Sequence, residues 1–145
     1  MDYIINKNTY YLMYDNNKTV INELSTELVI PGNNLKDILE NSCEYYGSSL
    51  QGRIVGARNL IKSRYKIPIM VSEKNNILFF PLSGKKNGEI IWFNFGMIKS
   101  YEKDGEFVSI TFDDGEVKKF MISYAIFNNQ ILKCSRMLVI YMNRG

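Results

Sequence analysis

Between Pro31-Gly32 and Pro68, and again after Ser123, the hydrophobic residues of this 145-residue chain recur at helical spacing, and elsewhere they fall into short runs broken by Asn, Asp and Gly. A period near 3.6 turns one face of a helix toward a core, whereas short apolar runs between turn residues are the pattern of strands joined by hairpins. The chain is thereby confined to the α+β class: mostly antiparallel short strands, a central basic helical region and a C-terminal helix.

The elements follow from local chemistry. Tyr3–Asn6, Thr9–Tyr14, Thr19–Glu23 and Glu27–Ile30 read as strands separated by Asn/Lys and Asp-Asn-Asn turns. Asn33 or Asn34 can cap a helix to about Tyr45, whose apolar members are Leu35, Ile38, Leu39 and Cys43. Behind the Gly47-Ser48-Ser49 turn, Leu50, Ile54, Ala57, Leu60 and Ile61 form a second stripe, with Arg53, Arg58, Lys62 and Arg64 mostly on other faces. Pro68 stops helix, and Ile69–Val71 is extended. From residue 76 a meander is expected through 77–82, 89–95, 97–102, 106–112 and 116–121, with Gly-containing tight turns. Ser123 can cap a last helix to about Tyr141. A single domain over residues 1–145 is expected, with 1–72 and 73–145 as possible subdomains.

The overall charge of +3 conceals a division along the chain. Residues 1–41 hold three Lys/Arg against six Asp/Glu, a balance of −3; residues 42–100 hold nine against three, a balance of +6; the remainder hold six of each. A basic middle flanked by acidic or neutral sequence suits one cationic face toward a polyanion, though a solvated surface gives the same count. Cys43 and Cys134 lie far apart, outside any metal-ligand spacing, among apolar and aromatic neighbours, so buried free thiols in a reducing cytosol are expected. The N-terminus lacks the charged and apolar regions of a signal peptide, and no apolar run approaches the ~20 residues of a membrane span. The expected place is the cytoplasm, away from membranes.

Several chemistries lack their residues. There is no histidine, which removes the commonest general base and most zinc sites. No phosphate-binding glycine loop occurs. Asp113, Asp114 and Glu116 cluster as magnesium ligands of a nuclease do, but Phe-Asp-Asp-Gly-Glu also spells a type I′ hairpin turn. Tyr10-Tyr11 and Tyr45-Tyr46 can stack on a base or sugar, or simply pack. No catalytic residue, metal or cofactor is expected.

Residues 42–56 read Ser-Cys-Glu-Tyr-Tyr-Gly-Ser-Ser-Leu-Gln-Gly-Arg-Ile-Val-Gly, followed by Pro68-Ile-Met-Val71 and by Phe80-Pro81. In this order the segments resemble the signature of the ComK family of bacterial competence transcription factors. Ile110-Thr-Phe-Asp-Asp-Gly, Ile122-Ser-Tyr and Phe127-x-Asn-Gln extend the resemblance over nearly the whole chain. It implies a sequence-specific activator that binds AT-rich boxes of DNA-uptake promoters as a dimer or tetramer, bends duplex DNA from the minor groove and recruits RNA polymerase. Family members usually carry a further C-terminal extension recognised by a proteolytic adaptor; this sequence stops at Gly145, so either it is trimmed or it escapes that control.

The residues of the signature have physical roles to fill. Ser48 and Ser49, with free N–H groups opening the helix, can hold a DNA phosphate, or Ser48 merely caps the helix. Gln51, in the first turn of that helix, is expected to join them as a DNA-binding residue. Arg53 can continue the phosphate track, enter a narrow minor groove, or pair with Glu44. Gly52 and Gly56 weaken the helix by roughly 1 kcal/mol each, which calls for close approach of DNA or of a neighbouring strand. Arg58, Lys62, Arg64 and Lys66, with Lys85 and Lys86 on a hairpin tip, add phosphate contacts. Two rivals remain: an interaction module that forms mixed oligomers with a full-length relative without binding DNA, and a metal-dependent nuclease around Asp113 and Asp114. A continuous basic strip through residues 48–66 favours the DNA binder; scattered charges favour the module.

Overall fold

The computed structural model of the chain describes residues 3–24, 26–63 and 65–144. In order it comprises β1 (Thr9–Asp15), β2 (Lys18–Glu23), β3 (Thr26–Pro31), α1 (Leu35–Tyr45), α2 (Leu50–Ile61), β4 (Ile69–Ser72), β5 (Ile77–Ser83), β6 (Ile90–Asn94), a 3₁₀ turn (Phe95–Met97), β7 (Ile98–Asp104), β8 (Phe107–Phe112), β9 (Val117–Phe120) and α3 (Tyr124–Arg144). The class is α+β, with antiparallel pairing throughout.

The strands form a six-stranded sheet in the order β3-β2-β1-β6-β5-β4 and a three-stranded sheet β7-β8-β9. The expected five-strand meander is therefore only partly present: β5 and β6 join the first sheet, and only β7 to β9 run as a meander. The break has a local cause, since Asn94 Oδ1 accepts the Gly96 N–H and turns the chain through the 3₁₀ segment. β1 pairs with β6 and β4 with β5, so strands from both sides of residue 72 share one sheet. At the β1–β2 hairpin, Asn16 and Asn17 both take positive φ (51° and 61°), as a two-residue type I′ turn requires.

The large sheet is covered on both faces. Along β5, Leu78, Phe80 and Leu82 pack with α3 and the small sheet, while Ile77 and Phe79 pack with α1. Alternate residues of a strand point to opposite faces, so an unbroken apolar run marks a strand buried on both. The first layer holds Phe80, Phe93, Phe112, Phe120 and Phe127; the second holds Leu35, Ile38, Leu39 and Cys43. α2 lies along edge strand β4, sending Ala57 and Ile61 into the first layer and Leu50 and Ile54 into the second. It thus shields an edge that would otherwise offer unpaired backbone groups. Gln51, Val55, Arg58, Asn59 and Lys62 are left facing solvent.

Two further expectations are corrected, and of the two candidate caps of α1 one is selected. Tyr3–Asn6 is not a strand. The buried Ser42 hydroxyl accepts the Ile5 N–H at 2.9 Å, and the Tyr46 hydroxyl donates to the Ile5 carbonyl at 2.8 Å, so α1 satisfies this backbone in place of a ladder. The Asn34 amide does not cap α1; it donates to the Pro31 carbonyl, and Asn33 Oδ1 instead accepts the Leu35 N–H. The β8–β9 connection is not type I′, because only Gly115 has positive φ (92°). The Phe112 carbonyl accepts the Gly115 N–H, and the Phe112 N–H donates to the Glu116 carbonyl, a three-residue loop with the glycine in the left-handed position.

Ser42→Ala is expected to destabilise the protein by about 1–3 kcal/mol, because the buried Ile5 N–H loses its acceptor. A urea titration against wild type checks this; an unchanged midpoint would mean the segment finds another partner.

Candidate functional site

The Gly47-Ser48-Ser49 turn joins two helices. Gly47 (φ 87°) ends α1, its N–H donating to the Glu44 carbonyl, and the Ser48 N–H donates to the Cys43 carbonyl. Ser49, not Ser48, caps α2: its backbone is extended and its Oγ accepts the Gly52 N–H at 3.0 Å. Ser48 is half-buried, whereas Ser49 and Gln51 are exposed.

The two helix glycines differ, and neither is pressed by a neighbouring strand. A Cβ on Gly52 would stand 2.9 Å from the Ser49 Oγ, so the cap requires a glycine there. A Cβ on Gly56 would meet nothing within 4 Å. Gly56→Ala is accordingly expected to stabilise the protein by about 1 kcal/mol, read as a higher thermal midpoint. A lower midpoint would show that something in the fold does press on that position.

Arg53 sits apart from the other basic residues of α2. Its side chain is 18% exposed and its partner is Glu73 at 3.8 Å, not Glu44. Its Nε is buried without a hydrogen-bond partner. The cleft around it is lined by Gly52, Gly56, Glu73, Tyr141 and Arg144.

The remaining cations come together differently. α2 ends at Lys62, which takes the left-handed conformation (φ 56°) and donates its N–H to the Arg58 carbonyl. The turn that follows is held from beneath by α3. Gln130, almost fully buried, donates to the Lys66 carbonyl at 2.8 Å and to the Pro81 carbonyl at 2.6 Å. Lys133 Nζ donates to the Tyr65 carbonyl at 3.1 Å. Burial first, and the Lys66 ammonium nearby, hold Lys133 below the usual lysine range.

Three clefts adjoin along this seam. Lys36, Arg58 and Lys66 border one, Arg58 and Lys62 the second, and Lys66, Lys133 and Arg136 the third. No acidic side chain among the described residues lines any of them, and none of the six cations is in a described ion pair. Like charges gathered without counterions raise the local potential and attract an anion with many charges. Sequence reasoning missed Lys36, Lys133 and Arg136. The available signal was α3 itself, whose residues Tyr124–Arg144 include Lys133, Arg136 and Arg144 but no Asp or Glu.

The other expected DNA-binding residues fall outside this face or at its margin. Arg64 lies outside the described residues. Lys85 Nζ donates to the Glu106 carbonyl and Lys86 pairs with Asp15 at 3.0 Å, although Lys66 reaches Ser83 Oγ at the root of their loop. The carboxylates considered for a metal do not converge: Asp114 Oδ1 accepts the Glu116 N–H, and Glu116 pairs with Lys118 at 3.3 Å. Among the described residues no group of three metal-ligating side chains occurs. Cys43 and Cys134 are buried free thiols, with burial pushing Cys43 up to about 11. No described helix is long and apolar enough to cross a membrane.

The family model described as ComK protein matches residues 1–145. A curated relative, the competence transcription factor of Bacillus subtilis (strain 168), is 31% identical over 109 residues. That match takes in 74% of this chain and 56% of the relative, so the chain spans little more than half the relative's length. A solved LytTr DNA-binding domain of a methyl-accepting/DNA response regulator from Bacillus cereus aligns over 86% of this chain and 81% of its own, at 12% identity and a TM-score of 0.39. A likeness that loose decides nothing about function.

Proposed function

The chain belongs to the ComK family, and we propose that it is a DNA-binding transcription activator of competence genes whose basic seam between α2 and α3 seats the duplex. The curated relative is a competence transcription factor. The observation that carries the reading is the acid-free run of Lys36, Arg58, Lys62, Lys66, Lys133 and Arg136 across three adjoining clefts. A duplex presents one phosphate charge per ~1.7 Å of axis, and a face of this kind gains affinity by releasing condensed counterions.

Roles divide by position. Arg58, Lys62, Lys66, Lys133 and Arg136 hold phosphates and set orientation without reading sequence. Ser48, Ser49 and Gln51 stand at the N-terminus of α2, where helix-end N–H groups favour a further phosphate. Arg53 enters a narrow minor groove on leaving Glu73, an exchange helped by the weak 3.8 Å pair and the unpartnered Nε. Lys85 and Lys86 contribute at the margin, and Arg64 adds a further phosphate contact. The family resemblance adds the rest of the reading: AT-rich boxes, a dimer or tetramer, and contact with RNA polymerase.

The test is binding to a duplex carrying paired A-tract and T-tract boxes, beside a G·C-rich duplex and the Arg53→Ala protein. Tighter binding to the AT duplex, abolished by a minor-groove ligand such as netropsin and weakened by the substitution, is expected. Equal affinity for both duplexes would contradict minor-groove recognition.

A further inference from the structure

Of the three basic clefts, the one bordered by Lys36, Arg58 and Lys66 has a second property. Its floor is apolar, made by Leu39, Leu50, Ile54, Ile69 and Trp92, and its volume is about 480 Å³. Leu39 and Ile69 are core residues, while Leu50, Ile54 and Trp92 are only half covered. Phosphate binding alone requires no such hollow, because a duplex backbone lies across a surface. A concave apolar site with a few convergent polar groups, on the order of 300–1,000 Å³, is the ordinary form of a small-molecule pocket.

The chemistry of the lining selects the occupant. Three cations border the site and no acid does, so a neutral apolar molecule would leave the charges unanswered. A carboxylate answers them with charge-assisted hydrogen bonds. We propose that this cleft binds a monomeric medium-chain aliphatic carboxylate, its chain on Trp92 and Ile54 and its head between Lys36, Arg58 and Lys66. Two of those cations, Arg58 and Lys66, also belong to the proposed DNA face. Ligand and DNA therefore compete, which makes the pocket an effector site; only this consequence rests on the DNA-binding reading.

Trp92 is the chain's single tryptophan, so its fluorescence reports occupancy directly. Decanoate below its micelle concentration is titrated against decanol and against phosphatidylglycerol vesicles. Saturable change with decanoate is expected, with decanol about tenfold weaker or worse, and no change with vesicles. The Lys36→Gln/Lys66→Gln protein, altered only at exposed positions, should lose the preference for decanoate over decanol. Ile54→Phe should abolish binding of both while keeping DNA affinity, and DNA bound to this variant should resist decanoate that displaces it from wild type. Absence of saturable change, equal response to decanol, or a response to vesicles alone would overturn the ligand assignment. DNA that stays bound at decanoate saturation would overturn the competition. Decanoate binding in a protein that does not bind DNA would support the pocket and remove the proposed function.

Discussion

Replacing Arg58, Lys62, Lys66, Lys133 and Arg136 together by glutamine is expected to lower duplex affinity on the order of a thousandfold near physiological salt. The log–log salt slope should become shallower by about 0.9 for each phosphate no longer neutralised. The effect is large because these residues act through counterion release, a term that scales with the number of phosphates neutralised. The same substitutions should leave the fold intact. Arg58, Lys62, Lys66 and Arg136 are exposed, none is in a described ion pair, and the Lys66–Lys133 proximity is itself unfavourable. Unchanged circular dichroism, a thermal midpoint lowered only by the lost Lys133–Tyr65 carbonyl hydrogen bond, and reduced affinity and slope are the joint outcome. A variant that keeps wild-type affinity would move the binding face elsewhere.

The second large effect is in the core. Phe93→Ala is expected to cost about 3–5 kcal/mol, a large share of the roughly 5–15 kcal/mol that holds a domain folded. Phe93 is fully buried and its ring meets Phe120 at 5.0 Å, Phe127 at 5.5 Å, Phe80 at 5.6 Å and Tyr11 at 6.0 Å. Truncation therefore opens a cavity where the large sheet, the small sheet and α3 join, and the neighbouring rings cannot all move into it. Urea unfolding followed by far-UV circular dichroism measures the loss. Phe93→Leu, which removes less volume, should fall well short of it. A loss under about 1 kcal/mol for the alanine variant would mean that the three elements fold more independently than their shared core implies.

Much of the fold was legible because it was written in local pattern. α1, α2 and α3 follow from apolar spacing and Ser or Gly punctuation, and most strands from apolar runs between turn residues. What was not legible depends on pairing between distant segments. The Tyr3–Asn6 stretch has strand-like composition, yet Ser42 and Tyr46 of the α1 region satisfy its backbone. The pairing of β1 with β6 joins residues about eighty positions apart, and no local signal announces it.

The candidate site divides in the same way. Arg58, Lys62 and Lys66 were visible as cations on a short amphipathic segment. Lys133 and Arg136 were hidden because the acids of residues 102–116 balanced them in the regional count, although those acids lie on β7 and in the turns on either side of β8. Arg53 was given its place by the signature, but its partner Glu73 lies beyond β4 and nothing in the spacing points to it. Gly56 leaves open space beside the helix without supplying the expected strand.

The measurement that tests the central claim most directly is lysine footprinting. Limited acetylation of the protein, alone and saturated with an AT-rich duplex, is read by mass spectrometry at each lysine. Protection of Lys36, Lys62, Lys66 and Lys133 is expected, with no change at Lys119, which lies on the small sheet and pairs with Asp104 at 2.7 Å. Protection centred on the small sheet, with the α2–α3 seam as reactive as in free protein, would contradict the assignment of that seam as the DNA face.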